Sequence, residues 1–270
     1  MQKYSHPQSL FHYTREEDLF IKILKEGFKF SYCEEHLPNK SFVAFPMVCF
    51  CDIHLENSIN HTETYGKWGI GISKDYLINN YEYLFGPVNY VLKSSFIDAA
   101  FSIRELYLEK MNFINELKNK KTLKDEEAYK FFQELSDSHQ LNIQSISAIA
   151  LMKPYSSNKI INYNECEWRM FIPENGKPRN NNDEKCKWFW DKEEYLNAKG
   201  NKKPFFYLGY ILQPSAEAIS HLVVPQKDDK NKIKADLNQM DVIFGKKVEK
   251  RTIEGLADRI ISFEEIENNN

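Results

Sequence analysis

The first part of the chain changes from a strand-like pattern to helical spacing. Residues 9–14 (SLFHYT) favour a short β-strand. Apolar side chains then recur at helical spacing, at Leu19, Phe20, Ile23 and Leu24. Thr14 and Glu17 have the spacing of a capping box, and Gly27 is the residue type that ends helices. Residues 9–27 are therefore predicted to form a strand, a tight turn and a helix whose N-terminus favours anions.

Short apolar runs predict further strands along the chain. Residues 42–52 are apolar on both faces, which is typical of a buried strand, and Pro46 is expected to interrupt it. Other strands are predicted within 65–73, 87–92, 164–172, 205–212, 221–224 and 259–263, with a helix at 228–244. The three glycines within 65–73 indicate close approach of another backbone segment or of a ligand.

Residues 97 to about 138 have a different pattern. Their apolar positions predict two amphipathic helices joined near residues 118–121, and residues 144–152 fit either a helix or a strand. Because predicted strands lie on both sides, we interpret this segment as a helical insertion and not as a separate domain. The chain is predicted to be a single α+β domain over residues 1–270.

Composition narrows the class of protein. The 270 residues include 36 Lys and Arg against 39 Asp and Glu, so the net charge of −3 does not favour a protein that coats nucleic acid. No apolar run is long enough for a transmembrane helix, and the first residues lack the apolar core of a secretory signal. A cytoplasmic location without a membrane partner is expected, and the five cysteines are expected to be free thiols. No glycine-rich phosphate loop is present.

The most informative candidates for chemistry are Glu165 and Glu167. Side chains alternate along a strand, so Glu165, Glu167 and Arg169 are predicted to share one face, with Cys166 on the core face. A solvated sheet edge would tolerate two such carboxylates without any function. In a cleft, the same pair suits acid–base catalysis or stabilisation of a developing cation.

Two other positions are candidates for binding a ligand. His12 and Thr14 are predicted to share a face at the end of the first strand, where both can hydrogen-bond a sugar hydroxyl or a phosphate. The alternative is an ordinary strand histidine followed by a helix cap. Tyr65 precedes a glycine-rich strand, so its ring is placed to stack on a planar ligand, although core packing is the usual role of such a residue.

Cys49, Cys51, His54 and His61 provide the two cysteines and two histidines of a zinc site. Their spacing is not a standard one for zinc, and cysteines are common in protein cores. We therefore predict no metal site, and a metal-dependent nuclease built on these four residues is the weakest functional alternative. Cys166 is not predicted to be a nucleophile, because no histidine is close in sequence.

Taken in order, four motifs resemble the AbiGi family of abortive phage-resistance proteins. They are LFHYT at 10–14, MVCFCDI at 47–53, YGKWGIGI at 65–72 after His61, and ECEWR at 165–169. The family is described as an antitoxin. This genetic role implies a cognate partner protein and specifies no chemistry.

A more distant resemblance is to the ADP-ribosyltransferase fold, which implies a split β-sheet core. It rests on a first strand ending in histidine and threonine, a helix reaching Gly27 and a late strand bearing Glu-x-Glu. The resemblance implies that His12 and Thr14 hold the adenine-side ribose of NAD and that Tyr65 stacks on nicotinamide. It also implies that Glu167 or Glu165 binds the 2′-hydroxyl of the nicotinamide ribose. The Cys-Phe-Cys at 49–51 departs from the Ser-Thr-Ser of many transferases.

Two hypotheses follow from these resemblances. The first is an NAD-dependent mono-ADP-ribosyltransferase of phage defence, which uses NAD as a substrate and modifies a macromolecular acceptor. In it, Glu167 stabilises the developing cation, Glu165 orients or deprotonates the acceptor, and Arg169 contacts a phosphate or neutralises its acidic neighbours. The second is a non-catalytic antitoxin that uses a degenerate form of the same fold to bind a cognate toxin.

Overall fold

The computed structural model describes residues 8–36, 42–81, 85–92, 125–157, 160–172, 192–200 and 206–268, together with scattered positions between 98 and 116. The strands are β1 (Ser9–Thr14), β2 (Phe28–His36), β3 (Phe42–Cys51), β4 (Trp68–Ser73), β5 (Phe85–Pro87), β6 (Asn89–Val91), β7 (Met152–Pro154), β8 (Ser156–Ser157), β9 (Ile160–Ile161), β10 (Glu167–Phe171), β11 (Phe206–Leu212), β12 (Ile219–Val224), β13 (Val242–Ile243), β14 (Lys246–Lys247) and β15 (Ile260–Ser262). The helices are α1 (Glu17–Glu26), α2 (Ile59–Tyr65), α3 (Lys74–Tyr81), α4 (Asp125–Ala150), α5 (Lys192–Gly200), α6 (Lys227–Asn238), α7 (Lys250–Ala257) and α8 (Phe263–Asn268). This mixture confirms the predicted α+β class.

One large sheet organises the molecule, with the strand order β11-β2-β3-β1-β4-β12-β15. Its pairs are antiparallel except for β12 and β15, which run parallel. A branch of two further strands leaves this path at β3, because β10 pairs with β3 and β5 pairs with β10. The branch places the start of β10 close to the centre of the sheet.

Strand β3 has different partners along its length and on its two edges. On one edge of β3, β2 pairs as far as Met47, whereas β1 pairs only at Cys51. On the opposite edge, β10 pairs with the whole stretch from Met47 to Cys51. Strands β1 and β2 therefore diverge along the same edge of β3, and this divergence leaves room for a cavity at the middle of the sheet.

Strand β3 is buried on both faces, as its apolar sequence predicts. Ala44, Val48 and Phe50 belong to the main core, which also includes apolar residues of α1, α6 and α7. Side chains of the opposite face, among them Val43 and Phe45, pack with the C-terminal end of α4.

Some local predictions are confirmed and others are wrong. Helix α1 ends at Gly27, which has φ +100°. The capping box is wrong, because the Thr14 hydroxyl accepts from the backbone N–H of Glu16 at 3.4 Å and no side chain caps α1. The interruption at Pro46 is also wrong. Strand β3 continues through Pro46. On the edge of β3 that faces β10, pairing extends only from Cys51 back to Met47, so the N–H that proline lacks is not needed for a hydrogen bond to β10.

The predicted helical insertion is described only in part. Positions described between 98 and 116 are helical, and α4 continues through residues 144–150, which the sequence left ambiguous. The predicted joint at 118–121 and a segment at 174–186, expected to be loose, lie outside the described residues. The helix predicted at 228–244 ends at Asn238. No helix in the described ranges is long and apolar enough to cross a membrane.

The close approach predicted at the glycines takes place within the chain itself. Gly66 ends α2 with φ +102°, and a Cβ atom there would lie 2.2 Å from the carbonyl oxygen of Thr14. A Cβ atom at Gly69 or Gly71 would lie 2.7 Å from the nearest ring atom of β1, belonging to Tyr13 and Phe11 respectively. The absent side chains therefore let α2 and two aromatic rings lie directly against neighbouring backbone.

We expect Gly66→Ala to lower the free energy of unfolding by more than about 1 kcal/mol, because both its φ angle and its contact with Thr14 exclude a Cβ atom. The matched control is Gly255→Ala in α7, where a Cβ atom would meet nothing within 4 Å. This control is expected to raise stability by about 0.5–1 kcal/mol, because alanine favours helix. Urea denaturation measures both changes. Similar effects of the two substitutions would contradict the conformation described for Gly66.

Candidate active site

A cavity of about 260 Å³ opens where β1 and β2 diverge. It is lined by Phe11, His12 and Tyr13 of β1, Cys33, Glu34 and Glu35 of β2, Cys49, Phe50 and Cys51 of β3, His61 and Tyr65 of α2, Lys153 of β7, and Glu165 and Glu167. Among the predicted site residues, His12, Tyr65, Glu165 and Glu167 are therefore brought together. Thr14 and Arg169 do not line the cavity.

Arg169 is buried behind the cavity with only 1% of its side chain exposed. Its Nε donates to Glu167 Oε1 at 2.9 Å, and its Nη2 donates to Glu167 Oε2 at 3.2 Å and to Glu35. Its Nη1 donates to the carbonyl oxygens of Ala150 at 2.9 Å and Met152 at 3.3 Å. These five contacts match the five N–H donors of a guanidinium, so none is left for a phosphate.

Glu167 is held at the start of β10 by its backbone as well as by its side chain. Its N–H donates to the hydroxyl of Tyr90 at 2.8 Å, and its carbonyl accepts from the N–H of Val88 at 2.9 Å. Burial alone would raise the pKa of Glu167, but Arg169 and Lys153 outweigh this effect and lower the pKa to about 2. Glu167 is therefore an ionised carboxylate with a fixed orientation at neutral pH.

Lys153 joins the two candidate carboxylates. Its Nζ donates to Glu165 Oε2 at 2.6 Å and to Glu167 Oε2 at 3.0 Å. Burial opposes its charge, but Glu167, Glu35 and Glu165 outweigh burial and raise the pKa of Lys153. The carboxyl group of Glu35 behaves differently, because its burial outweighs the nearby cations and raises its pKa.

The predicted strand through residues 164–172 is wrong at its beginning. Glu165 lies in a 3₁₀ turn (Asn162–Glu165), and β10 begins only at Glu167. Between them, Cys166 has φ +44° and an exposed side chain, so its predicted place on the core face is also wrong. The two carboxylates converge because the turn folds Glu165 back towards Lys153, and not because they alternate on a strand.

His12 stands in the gap between β1 and β3. Its Nδ1 donates to the carbonyl oxygen of Cys49 at 2.8 Å, and its ring packs edge-on against Phe28 and Phe50. Burial lowers the pKa of His12, so the imidazole is neutral at neutral pH and its Nε2 can only accept a hydrogen bond. Thr14, two residues later, is buried and is occupied with the N–H of Glu16.

Tyr65 and His61 form one aromatic wall of the cavity. Their rings stack with centroids 4.5 Å apart, and the ring of Tyr13 lies 5.6 Å from that of His61. Burial and the neighbouring Glu165 raise the pKa of Tyr65. The sequence indicated Tyr65 as a ring that stacks on a ligand, whereas His61 was considered as a metal ligand and as part of a family motif. The four-residue spacing on a helix is the signal that would have paired them.

The cysteines of the cavity do not form a metal centre with the histidines. Within the described ranges, no three His, Cys, Asp or Glu side chains are arranged to hold a metal ion. Contact with Cys33 and burial raise the pKa of the Cys49 thiol, and burial raises that of Cys51 to about 12. Protonated thiols are poor nucleophiles and poor ligands. His54 is not among the residues that line the cavity.

Arg169→Met is expected to lower the free energy of unfolding by roughly 3–5 kcal/mol, because it leaves the buried carboxylates of Glu35 and Glu167 without their main partner. The matched control is Arg251→Met, which removes an arginine that is 87% exposed and pairs with Glu249. The control is expected to cost about 0–1 kcal/mol. Denaturant midpoints compare the two, and equal small losses would refute the burial of the Arg169 network.

Comparison with known proteins identifies the family. The family model of AbiGi, whose provisional description is abortive phage resistance protein AbiGi, antitoxin, matches residues 23–203. This range is well over half of the chain and includes the motifs at 47–53, 65–72 and 165–169. Searches of curated proteins and of solved structures found no significant match. On the strength of the family match, this protein belongs to the AbiGi family.

Proposed function

We propose that this protein is an NAD-dependent mono-ADP-ribosyltransferase that acts in phage defence and modifies a macromolecular acceptor. The observation that carries the proposal is the meeting of His12, Tyr65 and Glu167 in one cavity. These residues come from separate parts of the chain and match the positions that the resemblance to ADP-ribosyltransferases implies. Strands β1, β3 and β10 are neighbours in the sheet, as a shared nucleotide site requires.

The state of Glu167 suits the chemistry of this reaction. The bond between the ribose C1′ and the nicotinamide nitrogen breaks, and its electron pair leaves with nicotinamide. The ribose carbon then carries the positive charge of an oxocarbenium ion, as in glycoside hydrolysis. A fixed, ionised carboxylate near that carbon stabilises the developing charge without reorganisation, which is commonly worth about 3–4 kcal/mol for one well-placed group. In this proposal Glu167 is that group.

The acceptor completes the reaction by bonding to the same ribose carbon. Its proton must be removed as the new bond forms, and Glu165 is the nearby carboxylate that we assign to this step. Glu165 and Glu167 both reach Lys153, so they are close enough to act on neighbouring atoms of one substrate.

Nucleotide binding is assigned to the other walls of the cavity. His12 presents an Nε2 acceptor that fits a ribose hydroxyl, and the stacked rings of His61 and Tyr65 offer a surface for a planar ring. Arg169, which the sequence offered as a phosphate contact, acts here through Glu167, because all its donors are used within the chain. We assign no nucleotide contact to Thr14, which is buried outside the cavity lining.

The second candidate function is a non-catalytic antitoxin that binds a cognate toxin. Two observations favour it: the description of the family names an antitoxin, and both oxygens of Glu167 already accept hydrogen bonds from Arg169 and Lys153. A site saturated by its own chain would serve as a rigid scaffold and need no substrate.

Glu167→Gln is expected to reduce NAD consumption and ADP-ribosyl transfer about 100-fold or more, since a neutral amide cannot offset the charge on ribose. Transfer of label from NAD to bacterial lysate measures the effect. The matched control is Glu63→Gln, which changes an exposed carboxylate on α2 outside the cavity lining and should retain full activity. Thermal melting must show both variants folded. An active Glu167→Gln protein would exclude the proposed role of this residue.

Phage challenge separates the two candidate functions. If the protein is a transferase, cells that carry the complete locus with Glu167→Gln should lose protection, seen as recovery of plaque formation. If the protein is a binding scaffold, the folded variant should still protect, and the wild-type chain should co-purify with a partner encoded beside it. Full protection by Glu167→Gln, together with no NAD consumption by the wild type, would favour the antitoxin.

A further inference from the structure

Two cations hold Glu167, and only one of them lines the cavity. Arg169 lies behind the carboxylate, is almost fully buried and does not line the cavity. Lys153 lies on the cavity side, where its side chain is 16% exposed. The position of Lys153 is therefore the one that an incoming ligand would need to share.

The hydrogen bonds of Glu167 lead to the same conclusion. Its Oε1 accepts from Arg169 Nε, and its Oε2 accepts from both Arg169 Nη2 and Lys153 Nζ. A carboxylate offers about four acceptor positions, and on Oε2 the two donors use both. A ribose hydroxyl that approaches Oε2 from the cavity would find no free lone pair while Lys153 stays in place.

Lys153 differs from Arg169 in how easily it can leave. Arg169 has partners on two carboxylates and two backbone carbonyls. Lys153 donates to Glu165 and Glu167, which both line the cavity. An ammonium on a flexible four-carbon stem can turn towards solvent without disturbing the backbone. Arg169 would then keep Glu167 ionised and oriented.

We propose that Lys153 is an internal ligand that closes the candidate active site in the free protein and leaves Glu167 when substrate binds. This inference rests on the proposed function for the identity of the substrate. The position of Lys153 supports it, because its ammonium lies in the cavity lining and already donates to Glu167 Oε2. Because only open molecules can bind nucleotide, the apparent affinity equals the affinity of the open state multiplied by the fraction of molecules that are open.

Lys153→Met tests the closure, because methionine keeps the apolar stem and removes the ammonium. We expect this variant to bind NAD roughly tenfold more tightly than the wild type if about one molecule in ten is open, and to consume it faster at low NAD concentration. Lys153→Arg, which keeps the charge, should stay close to the wild type. Calorimetric titration with NAD and a nicotinamide-release assay measure the two quantities on the 270-residue chain.

A second measurement examines the closed state without any nucleotide. Acetylation of the wild-type protein, followed by mass spectrometry, should label Lys153 at least about tenfold more slowly than Lys250, because a paired ammonium with a raised pKa rarely presents a free amine. Lys250 is a suitable reference, since 89% of its side chain is exposed. Glu165→Gln, which removes one of the two partners, should speed the labelling of Lys153.

The outcomes separate this inference from the proposed function. Weaker or unchanged NAD binding by folded Lys153→Met, beside an active wild type, would overturn the closure and leave the transferase intact. If no variant binds NAD but Lys153 is protected and Glu165→Gln exposes it, the closure stands and NAD is the wrong substrate. Equal labelling of Lys153 and Lys250 in the wild type would overturn the closure whatever NAD does.

Discussion

The structure depends on one buried cation. Arg169 lies in the interior, where an unpaired charge would be very unfavourable, so each of its five donors must find an acceptor. Glu167 lies on its own strand and Glu35 on β2. The carbonyl oxygens of Ala150, the last residue of α4, and of Met152, the first residue of β7, complete the set. One guanidinium thus joins the branch of the sheet, the opposite edge of β3 and the C-terminus of the longest described helix. The negative end of the helix dipole suits a cation at that place.

The same network determines the electrostatics of the cavity. Three carboxyl groups share two cations. Glu35, Glu167 and Arg169 are buried, whereas Glu165 and Lys153 are partly exposed. The pKa values of the two carboxyl groups that contact Arg169 shift in opposite directions. The pKa of Glu167 is lowered by its cations, whereas burial raises the pKa of Glu35. Neighbouring acids whose pKa values are shifted in opposite directions within one cleft are common in functional sites. The two cations differ in position: Lys153 faces the cavity, whereas Arg169 lies outside its lining and holds Glu167 in place.

Sequence reasoning found the residues that carry local signals. Gly27 and the apolar face of α1 predicted the first helix, and the two apolar faces of 42–52 predicted a strand buried on both sides. Sequence motifs led to Glu165, Glu167, His12 and Tyr65 and to the family. Sequence reasoning did not find Glu35 or Lys153. It predicted no strand at 28–36 or 152–154, and a charged residue there looks the same in the sequence whether it meets water or a buried partner. It also misplaced Cys166, since a single left-handed residue breaks the alternation that the prediction assumed.

By itself, the sequence determined the α+β class, most of the strands and the AbiGi family, because these depend on periodicity, turn residues and short motifs that can be read along the chain. Only the tertiary structure decided which charges meet. The divergence of β1 and β2 along β3 creates the cavity, and the return of the chain after α4 places Lys153 between the two carboxylates. The contact between Glu35 and Arg169 joins residues that are 134 positions apart in the sequence. Long-range electrostatic pairing is fixed by the geometry of the sheet, which no local pattern of residues records.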